Sequence, residues 1–227
     1  MVWSSSAFTY THEKCVIIDG TAAWIMTMNG NTSSPTDNRE YLAIDTNAAD
    51  IAEATAVFKA DHALQSITPS GSLVVANSNA RASLVALIAS ATTTLDVEGE
   101  EFSDTNSNGI VVAVAAAARR GVTVHVVVST GNSDANSDAT VKAAGGHVVV
   151  SGPTSSNGTP INPYIHAKAI VVDCVAGVCK RAFIGSENFS AGSLGYNREL
   201  GVIFDQAPEI AKVKTAIDHD FAIGTPQ

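Results

Sequence analysis

Basic residues are scarce in this sequence. Its 227 residues include 13 Lys and Arg against 22 Asp and Glu, for a net charge of −9. Broad, sequence-independent binding to a nucleic-acid backbone needs a basic surface, so no stable nucleic-acid partner is expected. A small basic pocket inside an acidic protein stays compatible with this balance. Long apolar runs are also missing: no stretch of about 18 apolar residues occurs, which leaves a peripheral contact as the form of membrane association to consider. There is no low-complexity tail. With 45% hydrophobic and 15% charged residues, the chain is globular in composition and long enough for a substantial core. The opening "MVWSSSAFTYTHEK" has neither the basic start nor the apolar stretch of a signal peptide. The abundance of Ser, Thr, Asn, Ala and Gly, with little Lys, favours a secreted or periplasmic location.

Cysteine is sparse too, with three residues. Cys174 and Cys179 flank "VAGV" between two apolar runs, which reads as a hairpin whose arms could bring the thiols close enough to bridge. The pair lacks a second Cys/His pair at metal-binding spacing, so no zinc site is expected. Cys15 reads as a small buried apolar residue.

What the chain does have is one motif written twice. His12, Lys14 and Asp19 form H-x-K-x4-D, and His166, Lys168 and Asp173 form it again. Asn29 follows the first copy and Asn188 the second. "NRE" then recurs as Asn38-Arg39-Glu40 and Asn197-Arg198-Glu199, nine residues after Asn29 and Asn188 respectively. A single such motif is weak, but two copies in step through three elements are not a coincidence of composition.

Strand and helix patterns alternate along residues 73–227. "SLVVAN", "TTLDVEG", "VTVHVVVS" and "HVVVSG" read as strands. Ala80–Ala91 and Gly109–Arg120 read as helices, and "SDATVKAAG" as a short one. A polar loop, Ser151–Asn162, precedes the second motif strand "YIHAKAIVVD"; two more strands and a helix from about Pro208 to Phe221 follow. The expectation is an α/β fold with a mixed, largely parallel sheet flanked by helices. Residues 1–66 match only the last part of that unit, residues 67–72 read as a linker, and residues 73–227 as a complete second half. Asp61-His62 echoes Asp218-His219 near the two helix ends. The first half lacks the strand-helix-strand stretch that precedes the second motif, so a missing N-terminal segment or a second chain is expected to complete it.

At these residues the sequence resembles the phospholipase D superfamily, bacterial phospholipase D and cardiolipin synthase included. That family carries two H-x-K-x4-D motifs, each followed by a G-S-x-N segment. The second copy is complete, with Gly185-Ser186-Glu187-Asn188. The first departs from it as Met26-Thr27-Met28-Asn29, keeping the hydroxyl and the amide. The resemblance implies two halves related by a pseudo-two-fold axis, and an active site shared between them.

On a strand, alternate side chains share a face, so His12 and Lys14 point together, as do His166 and Lys168. The expected catalytic residues are His12, Lys14, Asn29, Glu40, His166, Lys168, Asn188 and Glu199. Phosphate contacts are expected from Lys14, Lys168, Asn29 and Asn188, helped by Thr27 and Ser186. Asp19 and Asp173 are read as structural. The resemblance makes Glu40 and Glu199 the carboxylates that orient the histidines, and His12 the nucleophile with His166 the general acid and base. No metal or cofactor is expected, because the lysines do the charge work. His125, His147, His62 and His219 fit ordinary roles. Glu98, Glu100 and Glu101 follow a strand that should point toward the site, and read as a solvated loop, with one of them lining the substrate pocket as the alternative.

The leading functional expectation is a phosphodiesterase or transphosphatidylase acting on phospholipid head groups. The alternatives are a nuclease of the same superfamily and a non-catalytic phosphate- or lipid-binding relative.

Overall fold

The computed structural model describes residues 4–69, 71–151 and 163–227; most of the polar loop expected before the second motif, residues 152–162, lies outside them. In the first half, β1 (Cys15–Ile18) and β2 (Ala22–Met26) form a hairpin. Helix α1 (Ser34–Asp37) leads into the short β3 (Asn38–Arg39), then come β4 (Leu42–Asp45) and α2 (Ala48–His62). The antiparallel order β1-β2-β4 makes a three-stranded sheet. Asn47 caps α2 by accepting from the Ala49 amide at 2.8 Å, which satisfies one of the free donors of the first turn.

The second half runs β5 (Leu73–Val75), α3 (Ala80–Ala89), β6 (Thr94–Gly99), α4 (Ile110–Arg119), β7 (Thr123–Val128), α5 (Ala135–Ala143) and β8 (His147–Val150). It continues with β9 (Tyr164–Ile165), β10 (Lys168–Val175), β11 (Val178–Gly185), α6 (Ala191–Tyr196), β12 (Leu200–Phe204), α7 (Ala207–Ile223) and β13 (Thr225–Pro226). Eight strands form one mixed sheet in the order β13-β8-β7-β6-β10-β11-β12-β5. Parallel pairing is confined to β6–β7–β8, where α4 and α5 supply the crossovers. The sheet is therefore less parallel than the alternation of elements suggests. From β10 onward the chain folds back on itself: Ala176 and Gly177, at φ 49° and 79°, make a two-residue turn of the kind that joins β10 tightly to β11.

Period-two alternation divides the core between the two faces of this sheet. Leu95, Val97, Ile170 and Val172 pack with Leu84, Leu87, Ile88, Ile110 and Val114 from α3 and α4. Ala169, Val171 and Ile184 pack with Ile210, Val213 and Ile217 from α7. A third cluster joins the halves: Ala23 and Ile25 of β2 and Ile51, Ala54 and Val57 of α2 meet Leu73, Val75, Leu200 and Val202 at the sheet edge.

The repeated motif is visible as repeated structure. The run β1, β2, β4, α2 has the same order as β10, β11, β12, α7. Asp19 and Asp173 even share a left-handed backbone, at φ 50° and 51°. Their surroundings differ. β10 is paired on both sides, by β6 and β11, whereas among the described residues β1 is paired by β2 alone. Asp173 accepts from the amides of Thr92, Thr93 and Thr94 at the start of β6, from both hydroxyls of Thr92 and Thr93, and from Lys180 Nζ at 2.8 Å. Asp19 lies exposed, with no side-chain partner among the described residues.

The second motif does not form one strand. β9 pairs in parallel with β3, β10 pairs with β6 and β11, and His166 and Ala167 lie at the switch between them. The first motif does likewise: Thr11 bridges Arg198 in parallel, and β1 begins only at Cys15. Each motif segment thus leaves its own sheet to meet the N-R-E segment of the other half. The His12 amide donates to the Arg198 carbonyl at 2.9 Å, and the His166 amide to the Arg39 carbonyl at 3.3 Å. In the β10–β11 hairpin Cys174 and Cys179 stand opposite each other and are joined as a disulfide.

Candidate active site

Because each motif pairs with the other half's N-R-E, each histidine meets the other half's glutamate. His12 Nδ1 lies 2.8 Å and 3.0 Å from the two carboxylate oxygens of Glu199. His166 Nδ1 lies 2.8 Å from Glu40 Oε1. A carboxylate on Nδ1 favours the proton there and leaves Nε2 to face the pocket. Both glutamates are held in turn. Glu40 receives the Thr27 hydroxyl at 2.6 Å and the Asn38 amide at 3.1 Å. Glu199 receives Ser193 Oγ at 2.7 Å and the Asn197 amide at 3.0 Å. Burial alone would raise the Glu40 carboxyl, but His166, Thr27 and Asn38 outweigh it and keep it below the ordinary glutamate value.

The two lysines turn into the same region. Lys14 Nζ and Lys168 Nζ each donate to the carbonyl of the histidine two residues earlier, both at 2.6 Å. Burial, with Lys168 nearby, lowers the Lys14 ammonium to about 8, against the opposing pull of Glu199, Glu100 and Glu40. Asn29 reaches across the halves, its Nδ2 lying 3.4 Å from His166 Nε2. The Asn188 side chain is nearly buried and makes no hydrogen bond among the described residues.

Thr27 and Ser186 do not serve the phosphate as expected. Both are fully buried. Thr27 Oγ1 is used on Glu40 and on the Tyr41 amide, and Ser186 Oγ accepts from the Leu200 amide at 3.1 Å. They hold the N-R-E segments in register beneath the histidines.

Several charged groups at the site carry no motif signature. Glu100, read as part of a solvated loop with a pocket-lining role as the alternative, binds Lys168 Nζ at 2.9 Å and accepts from the Tyr164 hydroxyl at 2.8 Å. Glu98 is fully buried, accepts from the Tyr41 hydroxyl at 2.6 Å, and is pushed up to about 8 by burial with Asp220 adding to it. Arg39 forks onto Asp220 at 2.5 Å and 3.0 Å, and Arg198 meets Asp61 at 3.0 Å. These pairs also cross between the halves. They correct the echo read at the helix ends, since Asp61 matches Asp220, two residues beyond Asp218. Each aspartate lies 22 residues after the arginine of its own half, a spacing that could have revealed the match.

The G-S-x-N segment of the second half is tightly packed. Glu187 is completely buried, and its side chain folds against Gly185 and Gly201. A Cβ on Gly201 would come within 2.8 Å of Glu187 Oε2, and one on Gly185 closer still. Phe183 crowds the same two glycines, and a Cβ on Gly201 would come within 2.3 Å of its ring. In the first half the positions of Glu187, Gly185 and Gly201 are Met28, Met26 and Leu42. The consequence is electrostatic asymmetry. Glu187, raised well above the ordinary value by burial and by Glu199, sits behind His12, together with Glu13, raised to about 7 by burial and Asp61. The matching positions behind His166 are Met28 and Ala167.

Away from the motifs, Asp96, His125 and Asp218 bring one ligand atom each within 4.8 Å of one another. The Lys214 ammonium, 3.6 Å from Asp96 and paired with Asp218, already occupies that group. A concavity of about 970 Å³ is lined by β4, β12 and the start of α7, and contains neither motif histidine. Among the described residues, no helix is long and apolar enough to cross a membrane.

The family model for "Cardiolipin synthase, PLD-like domain" matches residues 84–221. No curated protein matches the chain. Among solved structures, Nuc from Salmonella typhimurium, a phospholipase D family member, is 22% identical, with a TM-score of 0.56 over 69% of this chain and 97% of that one. Polyphosphate kinase from Porphyromonas gingivalis is 14% identical with a TM-score of 0.70, covering 96% of this chain and 34% of its own. Phosphatidylserine synthase from Haemophilus influenzae Rd KW20 is 10% identical with a TM-score of 0.64, covering 95% and 63%. At these identities the likeness is one of fold.

Proposed function

Since the chain belongs to the cardiolipin synthase, PLD-like domain family, we propose that it is a phosphodiesterase working through a phosphohistidine, with phospholipid head groups as its substrates. The observation that carries this reading is the pair of imidazoles, each backed on Nδ1 by the other half's glutamate. In the first step His12 Nε2 attacks phosphorus, and the bond to the leaving alcohol breaks. The alcohol oxygen takes a proton from His166 Nε2. In the second step His166 Nε2 removes a proton from water or a second alcohol. The oxygen so activated attacks phosphorus and displaces His12. Lys14, Lys168, Asn29 and Asn188 stabilise the charge on the non-bridging oxygens. The assignment of roles rests on an asymmetry. His12 is 29% exposed at its side chain, and its Nε2 has no partner among the described residues. His166 is 8% exposed, and its Nε2 already faces Asn29 and Glu100.

A lipid substrate fits the net charge of −9, and the likeness to a phosphatidylserine synthase over nearly the whole chain points the same way. A nuclease is the second reading, favoured by the likeness to Nuc. Against it, Arg39 and Arg198 are bound by Asp220 and Asp61 and are not available to a nucleic-acid backbone. Head-group release from phosphatidylcholine or phosphatidylethanolamine vesicles is the deciding experiment. We expect release by the wild-type protein, a loss of at least about a thousandfold in His12→Ala and His166→Ala, and no effect of EDTA. Cleavage of DNA with no lipid turnover would establish the nuclease reading. No turnover of any diester by folded protein would leave a phosphate- or lipid-binding role.

A further inference from the structure

Glu100 stands where the proposed chemistry needs cations and proton donors. Its carboxylate is 2.9 Å from Lys168 Nζ and 3.5 Å from His166 Nε2, and it is held from behind by the Tyr164 hydroxyl at 2.8 Å. The backbone fixes it as well, because the Glu100 amide donates to the Ala167 carbonyl at 3.1 Å, directly between the two motif residues. Burial would raise its carboxyl. Lys168, His166 and Tyr164 outweigh burial and keep it below the ordinary glutamate value, so it is ionised at neutral pH. The first half offers no equivalent among the described residues: Lys14 Nζ has only the His12 carbonyl as a hydrogen-bond partner.

We propose that Glu100 is a specificity-determining residue that filters anions by charge, admitting singly charged phosphodiesters and resisting doubly charged phosphomonoesters. This rests on the phosphodiesterase reading for its biological sense, though not for its test. The physical reason is additive repulsion. An anion reaching Lys168 and His166 must come within a few ångströms of the Glu100 carboxylate. The repulsion at that distance scales with the charge of the incoming anion. A dianion meets roughly twice the opposition of a monoanion. The filter would also keep free phosphate and monoester products from lingering in the pocket.

The test is direct binding by calorimetry at pH 8, with inorganic phosphate as the dianion and diethyl phosphate as the monoanion, to the full chain. Glu100→Gln keeps the shape and removes the charge. It is expected to bind phosphate about tenfold tighter than wild type and diethyl phosphate about threefold tighter. Glu100→Ala, included in case the glutamine variant disturbs Tyr164, should move in the same order. A gain for phosphate no larger than that for diethyl phosphate, in both variants, overturns the proposal. Turnover of bis(p-nitrophenyl) phosphate by wild type is scored separately. Its absence would count against the enzymatic reading and leave the binding result standing.

Discussion

Lys14 carries a charge that the pocket needs and the fold disfavours. With its ammonium lowered to about 8, diester turnover should fall as pH rises through 8. In Lys14→Arg the alkaline limb should move upward, since a guanidinium stays charged. Stability should move in the opposite direction. The folded value lies below the unfolded value of 10.5, so the unfolded chain binds more protons between the two. The protein therefore gains stability as pH rises across that window. Rate and unfolding measured over pH 7–10 check both signs. At this scale the residues that repeat were legible: His12, Lys14, Asn29 and Glu40, with their counterparts, announce themselves by spacing. Glu100, Glu13 and Glu187 do not repeat, so no spacing marks them, and only the packing reveals where they point. Thr27 and Ser186 were placed by analogy on the substrate, because a sequence does not distinguish a hydroxyl facing phosphate from one facing a glutamate.

The Asp173 turn and the β10–β11 hairpin behave as units. Asp173 gathers the first amides of β6, which ties the strand before the motif to the strand that carries it. Burial would raise its carboxyl, but Lys180, Thr92 and Thr93 hold it well below the ordinary value of 3.8. Its contribution is therefore complete above about pH 4 and is lost as pH falls below that. Asp173→Ala should cost about 2–4 kcal/mol in denaturant unfolding, through the donors it strands. Asp19→Ala, the same motif position and left-handed backbone without those donors, should cost only the backbone part, about 1 kcal/mol. The disulfide closes the far end of the hairpin, about 20 Å along the strand from Lys168 at the usual rise per residue. Cys174→Ser with Cys179→Ser should lower the melting temperature by a few degrees and leave diester turnover unchanged. Strands and helices in this half were readable from period and length. The antiparallel return of β10 was not, because alternation of strands and helices does not state which neighbour a strand will choose. The break at His166 was hidden for a related reason: "YIHAKAIVVD" carries no Gly, Pro or other turn residue at the switch, and the change of partner leaves no mark on composition.

At the scale of the whole molecule, the two halves exchange their supports. His12 leans on Glu199, His166 on Glu40, Arg39 on Asp220 and Arg198 on Asp61, while the third core cluster takes side chains from both halves. Covalent continuity across residues 67–72 then matters for bringing the halves together, and little afterwards. A protease site in place of Thr68-Pro69, cut after folding, should give two fragments that elute together and keep their turnover. Separation should need denaturant, and activity should disappear at the same concentration as the fragments part. Such a nicked protein would be a two-piece machine whose pieces recognise each other by the same contacts that aim its histidines.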